Sequence, residues 1–496
     1  MMKKFFKNTI VLVALAVSCL TGCSDLEEKP EGILSPESFF ASEGDFEAAT
    51  VGVYRNLYGG WGSFDFLDSF IISAGAEDVT SRPPAPTLKQ YDEFKVDPAA
   101  NSHTIMWRAF YRAINNANAI ISNIENLDGV SPQSNADAIE GQARFLRALS
   151  YFYLVRWFGE VPIITSENQG DAATVGQSPV ADIYNLIIAD LTAAENLLPP
   201  TFPEVGRATN GAAKAILAKV YLTMTGWPVE DASMYALARD KANEVIQSGV
   251  YSLERDFAKL WTVADKLTNS EFIFAFYGAI ASGDGSKHHH ATRPGSEGGW
   301  SDWFSEARFF NAFPEGYRKE VSFHTVFLDG TAWEDGEFGQ PYIAKYRDAG
   351  SPCGADEGGC GDVNGDLFTP IIRYADVLLM YAEASNMAAS GPTPEALEAV
   401  NMVRRRANNL DPNTPDASVD LASGMTQSAF DDAVIAERAW ELAFENNRWF
   451  DLVRKKMVVE VNKALYPNVS ENNRLLPKPA IEVDLIDGLD QNPGYE

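Results

Sequence analysis

The chain runs to 496 residues, of which 46% are apolar and 11% aromatic. That is enough for one large or two ordinary domains, and too hydrophobic for bulk disorder. A formal charge of −29 excludes nucleic acid and anionic lipid surfaces as ligands by repulsion, and leaves neutral sugars and cations open.

Lys3, Lys4 and Lys7 precede a short apolar run over 10–20, too short for a comfortable membrane span. The run ends in Leu20, Thr21, Gly22 and Cys23, the pattern of a bacterial lipobox. This predicts a signal peptide over 1–22 and a mature chain that starts at a lipidated Cys23, anchored to a membrane and not spanning it. The acidic run Ser24, Asp25, Leu26, Glu27, Glu28 is similar to the surface-export signal of Bacteroidetes lipoproteins, and also to a plain solvated tether.

Helices dominate the rest. Trp107, Tyr111, Ile114, Asn118 and Ile121 recur at helical spacing within 103–127. Over 136–158 the apolar residues cover most of the circumference, so that helix is expected to be buried on several sides. Further helices are predicted over 181–198, 211–225, 234–248, 374–390, 394–408 and 427–459. Short turns rich in Gly and Pro separate them. Small residues such as Ala212, Ala213, Ala215 and Ala218 point to tetratricopeptide-like hairpins without a strict period. The predicted fold class is mostly α, with long irregular loops and minor β.

Two stretches break the pattern. Residues 59–102 are rich in Gly, Pro, Ser and Asp, and residues 262–370 mix aromatics with Gly, His and β-like runs such as 272–277. The organisation expected is therefore one domain over 23–496, with a helical scaffold over 103–260 and 370–460 carrying these two loop regions. Within the second loop region, Cys353 and Cys360 are a candidate disulfide, since the other two cysteines lie in the signal region. Asp362, Asn364 and Asp366 stand at alternate positions, like the start of a calcium loop, but the closing bidentate Glu is absent. Calcium is the candidate ion for this segment, and an acidic solvated turn is the competing reading. His288, His289 and His290 read as an exposed loop, because adjacent histidines chelate one ion poorly.

The helical segments also carry a family's signature. Gly141-Gln142-Ala143-Arg144-Phe145-Leu146-Arg147-Ala148, Tyr151-Phe152-Tyr153-Leu154-Val155 and Phe158-Gly159-Glu160-Val161-Pro162 resemble the signature helix of the SusD/RagB family. Ile372-Arg373-Tyr374-Ala375-Asp376, Glu437-Arg438, Glu441-Leu442-Ala443-Phe444-Glu445, Arg448-Trp449-Phe450-Asp451-Leu452 and the tail Gln491-Asn492-Pro493-Gly494-Tyr495 follow in the family's order.

The resemblance implies a SusD-like superhelix and a lipoprotein of the outer-membrane surface. It implies capture of a glycan for a partner, a SusC-like TonB-dependent transporter. Family members bind starch, other glycans or peptides, so a peptide-binding member is one rival reading and a surface glycoside hydrolase another. No HExxH, GxSxG or phosphate-loop motif occurs. Glu437, Glu441 and Glu445 step by four, and that stripe reads as a salt-bridge network sooner than as a catalytic pair. Starch-binding relatives draw an arc of aromatics from the two loop regions. The corresponding candidates are Trp61 and Tyr91 in the first region and Trp300, Trp303 and Trp333 in the second, with Arg293 and Asp302 beside them. Each ring competes with a packing role. Gly60, Gly62, Gly298 and Gly299 read as room for a ligand to approach.

Overall fold

The computed structural model describes residues 39–58, 64, 73, 75–282, 285–348 and 365–495. Two compact units divide the chain after residue 41, and all elements below lie in the second, Ser42–Glu496. The long helices are α1 (Glu43–Tyr58), α2 (Asn101–Asn123), α3 (Gln133–Phe158), α4 (Val180–Leu197), α5 (Asn210–Met224), α6 (Met234–Gln247), α7 (Tyr374–Ala388), α8 (Pro394–Ala407) and α9 (Gln427–Glu441). Each packs on the next in sequence, and α7 also packs on α9. The stack continues from α6 to α7 although some 120 residues of loop and strand intervene. The second loop region is thus an insertion into a continuous run of helix pairs.

The sequence explains most of these boundaries. Thr209, Thr393 and Thr426 cap α5, α8 and α9, each accepting a hydrogen bond from the backbone N–H three residues on. α3 is buried on nearly every side from Ile139 onward, as its all-round apolar pattern requires. Gly141 lets α3 meet the end of α4, since a Cβ there would press within 2.8 Å of Leu198. No helix among the described residues is long and apolar enough to cross a membrane.

Two expectations are corrected. α1 carries no strong sequence signal and was not among the predicted helices. The helix predicted over 427–459 is broken: α9 ends at Glu441, and separate short helices follow at Arg448–Arg454 and Val458–Asn462. Phe444 and Asn446 take positive φ there. The Phe444 N–H donates to Asp78 and its carbonyl accepts from the Tyr346 hydroxyl, so tertiary partners replace the helical ones. Glu445 therefore lies past the helix end and off the Glu437–Glu441 stripe.

Buried ion pairs lock the stack. Arg373 donates to Glu271 (2.6 Å), Glu441 (2.7 Å) and Glu445 (2.8 Å). Arg406 joins Glu271 and Glu441, and Lys345 holds Glu445 at 2.7 Å. A second cluster ties Asp376 to Lys219 and Arg438, and Glu383 to Arg454 and Lys455. Burial pushes the Asp376 carboxyl up, but Lys219 and Arg438 outweigh it and hold it at about 2. Glu441 and Glu383 lie well below the usual carboxylate range for the same reason, through their own cationic partners.

Short antiparallel strands organise the loops. β1 (Thr80–Ser81) pairs with β3 (Trp303–Phe304), which pairs with β5 (Tyr342–Ile343), which pairs with β4 (Phe323–His324). β1 belongs to the first loop region and the others to the second, so one small sheet joins both. β2 (Phe272–Tyr277), in the place the alternating aromatics predicted, pairs with β6 (Phe368–Arg373).

Candidate functional site

The β1–β3 junction brings Arg82 to Asp302. Their backbones bond, Arg82 N–H to the Asp302 carbonyl at 3.0 Å, and their side chains approach within 3.0 Å, Nε to Oδ1. That ion pair lacks the alignment of a hydrogen bond, and neither atom has another hydrogen-bond partner among the described residues. The Arg82 side chain is 41% exposed, which leaves its outer nitrogens available as donors. Burial pushes the Asp302 carboxyl up to about 6, against the lowering influence of Arg82.

Two residues before Asp302 stands Trp300, partly exposed, its ring edge-on to His290 at 5.3 Å. The loop beneath it is closed by its own backbone. Trp300, Ser301 and Asp302 donate their N–H groups to the carbonyls of His290 (2.7 Å), Arg293 (3.1 Å) and Ala291 (2.9 Å). Gly298 takes the left-handed conformation with φ 83°, and a Cβ on Gly299 would collide with the Arg293 carbonyl. Gly299 is therefore needed for the loop's own packing and not for a ligand's approach. Glu297 clamps the base, accepting from His324 (2.8 Å), Arg347 (2.8 Å) and the Leu328 N–H (2.9 Å). Burial raises the Glu297 carboxyl, but the His324 bond and the Arg347 charge hold it at about 2. The result is a partly exposed ring on a fixed loop, two residues from a carboxylate that meets a 41% exposed arginine side chain. Such a set can stack on the apolar face of a sugar and hydrogen-bond its hydroxyls.

The other predicted rings are placed differently. Trp303 is fully buried in β3, opposite Ser81. Tyr91 is 2% exposed, and its hydroxyl bonds His103 Nδ1 at 3.1 Å. Trp333 is 8% exposed and packs with Phe304, Phe327 and Tyr342. Protein covers all three, which leaves no face for stacking in this conformation. Arg293 is buried and donates to the Arg347 carbonyl at 3.0 Å. His288, His289 and His290 form a buried helical turn (His288–Ala291) where an exposed loop was expected, with His288 stacked on Tyr346. Asp366 Oδ1 accepts from the Ile280 N–H at 2.7 Å. Trp61, Cys23, Cys353, Cys360, Asp362 and Asn364 lie outside the described residues. No group of three His, Cys, Asp or Glu suited to a metal occurs among the described residues. Arg82 was missed in the sequence, where it is one charge in a polar loop; only its strand pairing gives it a role.

Both halves of this site fall in segments matched by family models. One, described as starch-binding associating with outer membrane, covers residues 71–222, and one described as the SusD family covers 300–495. SusD-like protein P2 of Formosa agariphila is 30% identical over the full length of both chains. The chain belongs to the SusD/RagB family. SusD-like structures share its fold: a SusD homolog from Bacteroides thetaiotaomicron matches with a TM-score of 0.81 at 24% identity, covering 93% of this chain and 98% of its own. A laminarin-binding SusD-like protein matches with a TM-score of 0.74 at 25% identity, covering 92% and 100%. The mostly helical fold expected of a SusD-like chain is the one observed.

Proposed function

We propose that this SusD-like chain is a glycan receptor of the outer-membrane surface, anchored by lipid at Cys23, that hands its ligand to a SusC-like TonB-dependent transporter. The observation that carries the glycan reading is Trp300, partly exposed on a clamped loop two residues from Asp302, the partner of Arg82. The likeness to a laminarin-binding relative and the starch-binding description of the matching family model support it. The lipobox supports the anchor. The transporter rests on the family resemblance.

Binding without chemistry is the reading the carboxylates favour. Glycosidic cleavage needs two carboxyls facing each other across a cleft, about 5 to 10 Å apart. Glu437, Glu441 and Glu445 are instead buried and tied to Arg318, Arg373, Arg404, Arg406 and Lys345.

The test is affinity electrophoresis against laminarin, starch, xylan, mannan and pectin, with a reducing-end assay on the same mixtures. At least one polymer should retard the wild-type protein without release of product, and Arg82→Ala should weaken that retardation about tenfold. Release of reducing ends would replace the receptor by a hydrolase. Free migration in every polymer would end the glycan reading.

A further inference from the structure

Away from the Arg82–Trp300 loop, a pocket of about 270 Å³ opens where α9 meets the segment after α8. Its walls include Trp440, Glu437, Arg318, Arg404, Asn408 and Ser418. We infer that this pocket is a second saccharide site, sized for a single sugar ring that lies against the Trp440 indole.

Trp440 is partly exposed on α9, where one face of the helix is otherwise occupied by the buried ion pairs of Glu437 and Glu441. Among the described residues no ring stacks on it and no hydrogen bond engages it. Part of the indole is thus left open at the edge of a polar pocket. That pairing suits a pyranose, which presents C–H groups on its faces and hydroxyls around its rim. An apolar ligand would leave the polar walls unmet, and a simple ion would not need the indole.

The polar walls hold unused donors and acceptors. Arg318 is buried and makes both of its ion pairs through Nη1, to Glu437 at 2.6 Å and Glu441 at 2.7 Å. Its Nε is buried and makes no hydrogen bond to a described residue. Asn408 donates its amide to the Arg404 carbonyl at 2.8 Å, which leaves its Oδ1 as an acceptor. Glu437 accepts one hydrogen bond on each oxygen, from Arg318 and from Arg404 at 3.1 Å, and each oxygen can accept another.

These groups are also fixed in advance. Arg404 Nε donates to the Val419 carbonyl at 2.7 Å, and Asn401 accepts from the Leu421 N–H at 2.7 Å. Arg405 grips the same loop through Asp420 (2.6 Å) and the Pro412 carbonyl (2.9 Å). The loop that forms one wall is therefore pinned to the end of α8. A preformed site loses less freedom on binding, and that favours a small ligand with few contacts. The volume lies just under the roughly 300 Å³ at which pockets for drug-sized ligands begin, which excludes an oligomer from the pocket itself.

The pocket shares no residue with the Trp300 site, and it rests on the receptor reading only for the choice of sugars as probes. The experiment uses the mature protein labelled with 5-fluorotryptophan, whose chain holds ten Trp, and assigns the Trp440 signal by its loss in Trp440→Phe. The probes are the methyl glycosides of glucose, galactose, mannose, xylose and arabinose, with sodium sulfate as a control for anion binding at the two arginines. At least one glycoside should move the Trp440 signal saturably. Asn408→Ala, an exposed change that spares the fold, should weaken that response about tenfold. In Trp300→Ala the Trp440 signal should still move. The inference is overturned if no glycoside moves the signal, if only sulfate does, or if Asn408→Ala responds like wild type. Failure at Trp300 with a live Trp440 response would count against the loop site alone.

Discussion

The buried seam where the helical stack meets the loop insertion and the β1–β3 junction use the same residue types to opposite ends. At the seam, Arg373, Arg406 and Lys345 are buried against Glu271, Glu441 and Glu445, and their charges are matched inside the protein. At the β1–β3 junction, the Arg82 and Asp302 side chains approach without a formed hydrogen bond, and much of the Arg82 side chain faces outward. The aromatic residues divide likewise. Tyr153, Trp157 and Phe450 pack ring on ring beneath the scaffold, while Trp300 keeps part of its surface open. Charge or aromaticity alone therefore does not mark function here. What separates the two settings is how far the protein's own packing covers the group.

The contrast can be broken most forcefully in the stack. Glu441→Ala leaves Arg373, Arg406 and Arg318 short of a shared carboxylate in a buried setting. Loss of one member of a buried pair costs about 3–5 kcal/mol, and the expected result is a much earlier denaturant midpoint or failure to fold. An unchanged midpoint would mean that the network does not hold the helices together.

Acid should act more gradually on the same groups. Asp376 sits at about 2 in the fold against an ordinary value of 3.8, and Glu383 and Glu441 are also depressed. Below the ordinary range the unfolded chain therefore binds more protons than the folded one. The stability these carboxylates contribute is present above about pH 4 and is lost as pH falls towards about pH 2, with Asp376 alone contributing on the order of 2 kcal/mol. Melting temperatures recorded across that window should fall steadily. A flat profile would contradict the depressed values.

How far the sequence reveals this division differs between the two regions. Helical period and turn residues locate α2 to α8 within a few residues, because packing rewards the same local pattern that the sequence displays. The break after Glu441 is invisible locally, since no Gly or Pro marks it; it depends on Asp78 and Tyr346, which meet Phe444 only in the folded chain. The loop rings were harder still. Trp300 and Trp303 have the same polar, Gly-rich surroundings in sequence, yet strand pairing with Ser81 and Tyr342's strand buries one and leaves the other partly open. Arg82 gained a role through that same pairing. Its partner strand lies far along the chain, so no local reading could have linked it to Asp302.

The smallest expected effect on stability, that of Trp300→Ala, belongs to the most direct test. Trp300→Ala and Trp303→Ala alter rings three positions apart, and each should be measured by isothermal titration against the retained glycan and by thermal melting. Trp300→Ala should weaken binding by roughly 1–3 kcal/mol with little change in melting temperature. Trp303→Ala should cost about 3–5 kcal/mol of stability, as the loss of a fully buried indole does. If Trp300→Ala binds like wild type, or loses affinity only in step with its melting temperature, Trp300 is a packing ring and the ligand lies elsewhere.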